Sequence, residues 1–129
     1  MIKPEIVAAG EQQIGAILAM VNRSGFRITR LAMRQLDRAL VEDFYGEHRG
    51  KPFYDSLVEY ITSGPVVCVR LEREDAVAAL RELIGATNPA EAATGTVRDL
   101  YGTSIGENAV HASANADDAA RELGLIFGD

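Results

Sequence analysis

Apolar residues recur along the chain at helical spacing in several segments. Ile14, Ile17, Leu18 and Val21 follow the i, i+3, i+4, i+7 pattern of an amphipathic helix, and Gly25 stands where such a helix would end. Periodic apolar positions, polar residues at the start and a glycine near the end predict four more helices. These helices span residues 37 to about 46, 55–63, 74–84 and 115–127.

Three segments have the character of β-strands. Residues 66–71 form a β-branched run that is typical of a central strand, residues 26–36 favour a strand, and residues 109–111 predict a brief one. Residues 86–109 form a polar stretch rich in Ala, Thr, Asn and Gly, and so long a loop in a small domain is usually functional. Strands interleaved with helices, without a strict βαβ repeat, predict an α+β fold in which helices pack on one sheet.

Length and composition indicate a single domain over residues 1–129. The chain is 47% hydrophobic and 25% charged, which is ordinary for a globular domain and unlike a disordered chain. No apolar run approaches the length of a membrane span, and the N-terminal residues lack the layout of a signal peptide. Because Cys68 is the single cysteine, an internal disulfide and a Cys-rich zinc site are excluded. Cys68 alternates with valines, which is typical of a core thiol. We therefore expect a cytoplasmic protein that does not bind membranes.

The charge balance limits the kinds of ligand that the chain could bind. Thirteen basic and nineteen acidic residues give a net charge of −6, which disfavours a general nucleic-acid binder. An anionic ligand would need a local pocket of positive charge, and neither a GxxxxGK[ST] nor a GxGxxG motif is present to form a glycine-rich phosphate loop. Arg81, just before the polar loop, and Arg98, within it, are candidates for that pocket. The commoner alternative is that such arginines lie on solvated faces.

The two histidines, His48 and His111, are candidates for nucleophilic catalysis, although a lone histidine is more often structural. His111 is favoured because it follows the polar loop and precedes a helix N-terminus, where an anion binds well. Ser113 and Glu122 are close enough in sequence to orient its ring, which would free the other ring nitrogen as a nucleophile. Phe53, at a helix entry, either packs locally or forms a platform for a flat ligand.

An ordered set of short motifs runs through nearly the whole chain. The set comprises Ile2-Lys3-Pro4, Phe44-Tyr45-x-x-His48, Lys51-Pro52-Phe53, Ser63-Gly64-Pro65-Val66, Arg81-x-x-x-Gly85-Ala86-Thr87-Asn88-Pro89, Gly95-Thr96-Val97-Arg98 and Asn108-Ala109-Val110-His111-Ala112-Ser113, with Glu122 in the last helix. Each motif is weak alone, but their order and spacing together resemble the nucleoside diphosphate kinase family.

The resemblance implies a ferredoxin-like fold, in which helices pack on a four-stranded antiparallel sheet. The sequence begins almost at Lys3, whereas relatives have several strand residues before this motif. We therefore expect the first strand to be truncated. The family also implies a homo-oligomer, with dimer, tetramer and hexamer all open.

The resemblance further implies transfer of the γ-phosphate of a nucleoside triphosphate to a nucleoside diphosphate, by a ping-pong route through a phosphohistidine. His111 would attack through Nδ1, with Glu122 and Ser113 hydrogen-bonded behind its other nitrogen. Phe53 would stack on the base beside Leu57 and Ile105. The remaining implied contacts to phosphates and ribose are Lys3, Tyr45, Arg81, Thr87, Arg98 and Asn108. Mg²⁺ would be carried by the nucleotide phosphates, without a metal site on the protein.

Two residues depart from the family pattern. Glu5 replaces the usual Asp after the Lys-Pro pair, and Ala114 replaces the Asp that commonly follows Ser113. The second change affects a contact near the nucleophile and leaves the nucleophile itself in place. Two alternatives therefore stand beside the active kinase. One is a catalytically impaired nucleotide-binding or scaffold module of the same fold. The other is a phosphocarrier fed by a protein partner, in which Phe53 would have no role.

Overall fold

The computed structural model describes residues 1–128, except for the side chains of residues 11 and 12. Asp129, the last residue of the predicted domain, lies outside the described residues. Helices and strands alternate along this part of the chain. The elements are α1 (Pro4–Ala9), α2 (Glu11–Arg23), β1 (Arg27–Arg34), α3 (Arg38–Phe44), α4 (Tyr54–Ile61), β2 (Val66–Glu72), α5 (Ala76–Ile84), α6 (Val97–Tyr101) and α7 (Ala116–Phe127), with short 3₁₀ turns at Gly46–His48 and Pro89–Glu91.

The sheet is antiparallel and its order follows from its backbone pairs. β1 pairs with β2 from Arg27↔Glu72 to Arg34↔Val66, with one irregularity in register. On the other side of β2, Ile2 forms a bridge with Val67, and Ile2 also forms a bridge with Val110. The order is therefore β1, β2, the segment around Ile2 and the segment around Val110. Helices packed on an antiparallel sheet confirm the predicted α+β fold.

Two of the four implied strands are reduced to isolated bridges, in line with the truncation expected for the first strand and the brief strand expected at residues 109–111. The first strand is represented by the isolated bridges of Ile2, and the predicted strand 109–111 is represented by the bridge of Val110. Their backbone hydrogen bonds nevertheless continue the ladder, since the Lys3 N–H donates to the Ala109 carbonyl at 2.8 Å and the His111 N–H donates to the Met1 carbonyl at 2.9 Å. The segment that carries His111 is thus held against the sheet.

Several predicted helix boundaries are confirmed by their caps. The Asp37 side chain accepts a hydrogen bond from the Leu40 N–H at 2.8 Å, and Asn115 accepts one from the Asp118 N–H at the same distance. Gly85 ends α5 with φ +92°, and a Cβ there would lie 2.5 Å from Thr96 Oγ1. The position therefore needs glycine for its conformation and for its close contact.

Two helices lie where none was predicted. α1 begins directly after Lys3 with proline at its first position, and α6 lies inside the predicted loop 86–109. The Thr96 side chain caps α6 by accepting a hydrogen bond from the Asp99 N–H at 3.3 Å. The long polar stretch is therefore partly helical, and Arg98 is a buried residue on this short helix rather than a loop residue.

The core has two clusters of buried residues, and the segment 109–112 belongs to the first. That cluster includes Ile2, Val67 and Val110, whereas the second includes Val58 and Cys68. Cys68 is 2% exposed, which confirms the predicted core thiol. Within residues 1–128, no helix is both long enough and apolar enough to cross a membrane.

Candidate active site

His111, Ser113 and Glu122 form one hydrogen-bonded group. His111 Nε2 lies 2.7 Å from Glu122 Oε1, and the Ser113 hydroxyl donates to the same oxygen at 2.7 Å. Glu122 projects from α7, about two turns after the Asn115 cap, and is 6% exposed. The carboxylate accepts the Nε2 proton, so the neutral ring carries its lone pair on Nδ1. Among the described residues, Nδ1 has no hydrogen-bond partner.

The electrostatics of this group keep a negative carboxylate behind a neutral ring. Burial alone would raise the pKa of Glu122, but the hydrogen bonds from His111 and Ser113 outweigh it and the pKa lies below its ordinary value. Arg121 adds a positive charge 3.6 Å from the other carboxylate oxygen. Burial lowers the pKa of His111 below 6.5 despite the opposing effect of Glu122. The imidazole is therefore mostly neutral at pH 7.

Aromatic edges hold the His111 ring on its flanks. The ring centroids of Phe44 and His111 are 5.0 Å apart, and those of Tyr45 and His111 are 5.7 Å apart, both in edge-to-face arrangements. The His111 side chain is 22% exposed, so it is packed on its sides and still reachable from solvent. Phe44 was not predicted as a site residue, and only its position next to Tyr45 could have pointed to it.

Three cations converge on the segment that carries His111. Lys3 Nζ donates to the Asn108 side-chain oxygen at 2.7 Å. Arg98 donates to the Val110 carbonyl at 2.8 Å, and Arg81 donates to the Ala112 carbonyl at 3.3 Å. Their partners all lie within residues 108–112, so the three positive side chains contact one short segment of the chain. The local pocket of positive charge expected at this place remains a prediction.

Lys3 and Asn108 are both buried and link this group to Thr87. Asn108 donates from Nδ2 to the Thr87 carbonyl at 2.9 Å while its oxygen accepts from Lys3. Burial and the nearby Arg98 lower the pKa of Lys3 to about 8. The Thr87 side chain itself is exposed. The structure thus brings together Lys3, Thr87 and Asn108 as the resemblance implied.

Two buried polar atoms at the site have no partner in the described part of the chain. They are the Tyr45 hydroxyl and Arg98 Nε. Burial raises the pKa of the Tyr45 hydroxyl, which keeps it protonated as a donor. Both groups are hydrogen-bond donors, and a phosphate oxygen would accept from either one if it came within reach.

Phe53 lies at the start of α4 and is 48% exposed. His48 connects it to the site, since its ring centroid is 5.2 Å from that of Phe53 and 6.4 Å from that of Tyr45. Leu57 lies one helical turn after Phe53 and is half-buried, whereas Ile105 is 61% exposed between α6 and residue 108. A common platform of Phe53, Leu57 and Ile105 remains a prediction.

Comparison with known proteins supports the same resemblance. The family described as "Nucleoside diphosphate kinase" matches residues 1–129. The nucleoside diphosphate kinase of Desulforamulus reducens is 45% identical over 127 residues, which are 98% of this chain and 84% of that protein. The enzyme of the same name from Thermus thermophilus is 48% identical over 127 residues, which are 98% of this chain and 91% of that protein.

Solved structures share the fold at similar coverage. The apo nucleoside diphosphate kinase of Encephalitozoon cuniculi superimposes with a TM-score of 0.95 at 33% identity, covering 99% of this chain and 86% of that one. The Halobacterium salinarum enzyme in complex with CDP superimposes with a TM-score of 0.93 at 38% identity, covering 99% and 84%. The fold neighbours and the motifs therefore agree, and the chain belongs to the nucleoside diphosphate kinase family.

Proposed function

We propose that His111 carries the phosphoryl group in the reaction of this family, the transfer of the γ-phosphate of a nucleoside triphosphate to a nucleoside diphosphate. The observation that supports this role is the pair of contacts at Glu122 Oε1. His111 Nε2 and the Ser113 hydroxyl both lie 2.7 Å from that oxygen, which leaves Nδ1 open as the nucleophile. The chain acts as a nucleotide kinase, and the residue roles below are our proposal.

The first half-reaction forms an N–P bond on His111. The Nδ1 lone pair attacks the γ-phosphorus, the bond from that phosphorus to the oxygen bridging the β-phosphate breaks, and the nucleoside diphosphate leaves with the electron pair. In the second half, a terminal oxygen of the incoming diphosphate attacks the phosphorus and the electron pair returns to Nδ1. The Nε2 proton stays between His111 and Glu122 throughout. A phosphorylated imidazole has the high transfer potential that two nearly equal half-reactions need.

The cations that contact residues 108–112 would stabilise the negative charge of the transferred phosphoryl group. Phosphoryl transfer passes through a loose transition state, so positioning and positive charge account for most of the catalysis. Arg81, Arg98 and Lys3 would bind phosphate oxygens, and Tyr45 would donate its unpartnered hydroxyl. Thr87 and Asn108 would complete the phosphate and ribose contacts. A local field of this kind must overcome the repulsion of the net charge of −6.

Phe53 is proposed as the platform on which the base stacks, beside Leu57 and Ile105. Its exposed ring offers a free face, since the side chain is 48% exposed at the entry of α4. Stacking tolerates any base because every base has a π-face, so we expect broad substrate use. The CDP complex of the Halobacterium salinarum relative agrees with a site that admits pyrimidine nucleotides.

Mg²⁺ is proposed to enter with the nucleotide as part of the substrate. Within the described residues, no group of three or more His, Cys, Asp or Glu side chains could hold a metal ion. The side chains that would face the phosphates are cations and hydroxyls, which suit a metal bound by the phosphates better than one bound by the protein. When bound, Mg²⁺ neutralises the charge on the transferred group.

We also propose that the chain forms a homo-oligomer and works in the cytoplasm. In the described chain β1 pairs only with β2, and Leu31 and Met33 are 54% and 59% exposed on it. A second copy could pair antiparallel along this edge and cover both side chains, as apolar edge strands require. The free thiol of Cys68 suits a reducing compartment, where nucleotide substrates are also found.

Labelling with γ-labelled ATP followed by a GDP chase tests this function. We expect an acid-labile, alkali-stable label on the protein that passes to GDP. His111→Gln should abolish both steps, whereas His48→Gln, which changes the other histidine, should keep the label. Label on His111→Gln would disprove the nucleophile assignment. Nucleotide binding without label would indicate the impaired module, and label that never reaches GDP would indicate the phosphocarrier.

A further inference from the structure

The backbone at Ala109 adopts a rare conformation next to the proposed nucleophile. Its φ is +76°, and it shares a positive φ with one other non-glycine residue in the described chain, Asp75. The Val110 N–H donates to the Asn108 carbonyl at 2.9 Å, two residues back, so Ala109 is the central residue of a γ-turn. With a positive φ this is the rarer and more strained form of the turn. Ala109 is fully buried, at 0% exposed.

Such strain persists only where the surroundings hold the backbone in place, and Glu5 is positioned to do so. Glu5 Oε1 accepts a hydrogen bond from the Ala109 N–H at 3.0 Å, and the Tyr60 hydroxyl donates to the other carboxylate oxygen. On the far side of the same residue, the Lys3 N–H donates to the Ala109 carbonyl at 2.8 Å. The first turn of α1 therefore holds both backbone groups of Ala109.

The turn lies between two groups that must act together on a nucleotide. Asn108 precedes it and binds Lys3 through its side chain, and His111 follows it by two residues. If Ala109 relaxed to a negative φ, the direction of the chain would change between Asn108 and His111. The lone pair of Nδ1 would then point away from the phosphate contacts. A small misplacement of this kind slows a reaction strongly, because transfer depends on alignment.

We propose that Glu5 is a positioning residue whose carboxylate holds the γ-turn at Ala109 and thereby aligns His111 with Asn108 and Lys3 for phosphoryl transfer. The inference rests on the proposed role of His111. Glu5 itself touches the backbone of Ala109 and the hydroxyl of Tyr60, not the reacting atoms. Its effect on the reaction is therefore carried by the geometry of the turn, beside a charge interaction with the Lys3 ammonium that the substitutions below separate from it.

Removal of the carboxylate should slow chemistry more than it weakens binding. In Glu5→Ala we expect single-turnover phosphorylation of His111 by ATP to slow by about tenfold or more, while the Kd for ADP changes less than about threefold. Glu5→Gln keeps an oxygen that accepts from Ala109 and should recover part of the rate. Glu59→Gln, an exposed change on α4 next to Tyr60, serves as the matched control and should phosphorylate at the wild-type rate.

A second substitution separates turn geometry from other effects of Glu5. Glycine adopts positive φ without strain, so Ala109→Gly should hold the turn even without the carboxylate. We expect Glu5→Ala with Ala109→Gly to recover most of the phosphorylation rate lost in Glu5→Ala. Absence of any recovery would show that Glu5 acts through its charge or through α1, and would overturn the inference.

Amide hydrogen exchange gives a readout that does not depend on activity. The Ala109 amide should be protected in the wild type and exchange faster in Glu5→Ala, with amides of the β1 and β2 ladder unchanged. If the wild type takes no label on His111, the proposed function fails, while Ala109 exchange still reports whether Glu5 holds the turn. If the wild type is labelled and folded Glu5→Ala is labelled equally fast, the positioning role fails alone.

Discussion

The two ends of the proposed nucleotide site are built differently. Around His111, most side chains are buried, and Glu122 and Asn108 each have two side-chain or backbone hydrogen-bond partners. Around Phe53, the ring is half exposed and contacts the His48 ring and the Lys51 ammonium, without a hydrogen bond of its own. Hydrogen bonds fix the geometry at the reacting end, whereas the end for the base offers only an exposed ring without fixed hydrogen bonds. Substitutions should therefore reduce activity strongly at the end around His111 and weakly at the end around Phe53.

The largest effect is expected from removal of the carboxylate behind the ring. Glu122→Ala leaves Nε2 without an acceptor and lets the Nδ1 tautomer form, so we expect the rate of His111 phosphorylation to fall by about 100-fold. Stopped-flow or quenched single-turnover phosphorylation measures this rate. Asp117→Ala, an exposed acidic change in the first turn of the same helix, is the control. A loss of less than about threefold in Glu122→Ala would show that the ring is oriented by other contacts.

A pH profile of kcat/KM tests the electrostatics of the same end. The pKa of His111 is lowered by burial, so the neutral nucleophile persists below pH 6.5 and activity falls only at more acidic pH. The pKa of Lys3 is lowered to about 8 by burial and Arg98, so its positive charge is lost as pH rises through that value. We expect kcat/KM to fall by about tenfold for each pH unit above it.

Lys3→Arg isolates the alkaline limb, because a guanidinium stays charged throughout this range. Glu5 and the Tyr60 ring also face the Lys3 ammonium, and Glu5 opposes the lowering of its pKa. Lys3→Arg should have lower maximal activity and no decline near pH 8. An unchanged alkaline limb in this variant would assign that limb to a group other than Lys3.

Most of the fold and the reacting end could be predicted from sequence. Helix caps such as Asp37 and Asn115 carry a local signal, since a short polar side chain satisfies nearby backbone N–H groups. The central strand at 66–71 also has a local sequence signal, which is its run of β-branched residues. The motifs around His111 predicted that the proposed nucleophile, Ser113, Glu122 and the cations form one group, and the structure brings these residues together.

The remaining features depend on contacts that have no local pattern. α6 was missed because only five residues are helical, although Thr96 followed by Asp99 is a capping signal that could have been read. The single bridges of Ile2 and Val110 depend on neighbours distant in sequence. The γ-turn at Ala109 is held by Glu5, 104 residues away, and alanine gives no sign of a positive φ. These features depend on hydrogen bonds between residues distant in sequence, which local sequence patterns do not reveal.

The smallest effect is expected at the end for the base. Phe53→Ala removes the stacking face, and such losses are about 1–3 kcal/mol per base. Because the Phe53 ring is already 48% exposed, we expect a value near the lower limit, roughly fivefold in Kd. The phosphorylation rate at saturating ATP should stay close to wild type, since no contact of Glu122 or Lys3 is altered.

The same variant can separate stacking from specific recognition of a base. A ring face attracts all bases, so ADP and CDP should lose affinity by similar factors in Phe53→Ala, as measured by calorimetry. Phe53→Leu, which keeps apolar area without a π-face, is the matched control and should fall between the wild type and Phe53→Ala. A loss confined to one base would instead require a directional hydrogen bond near Phe53. The two ends would then no longer differ in kind, because the base end would also depend on one fixed geometry.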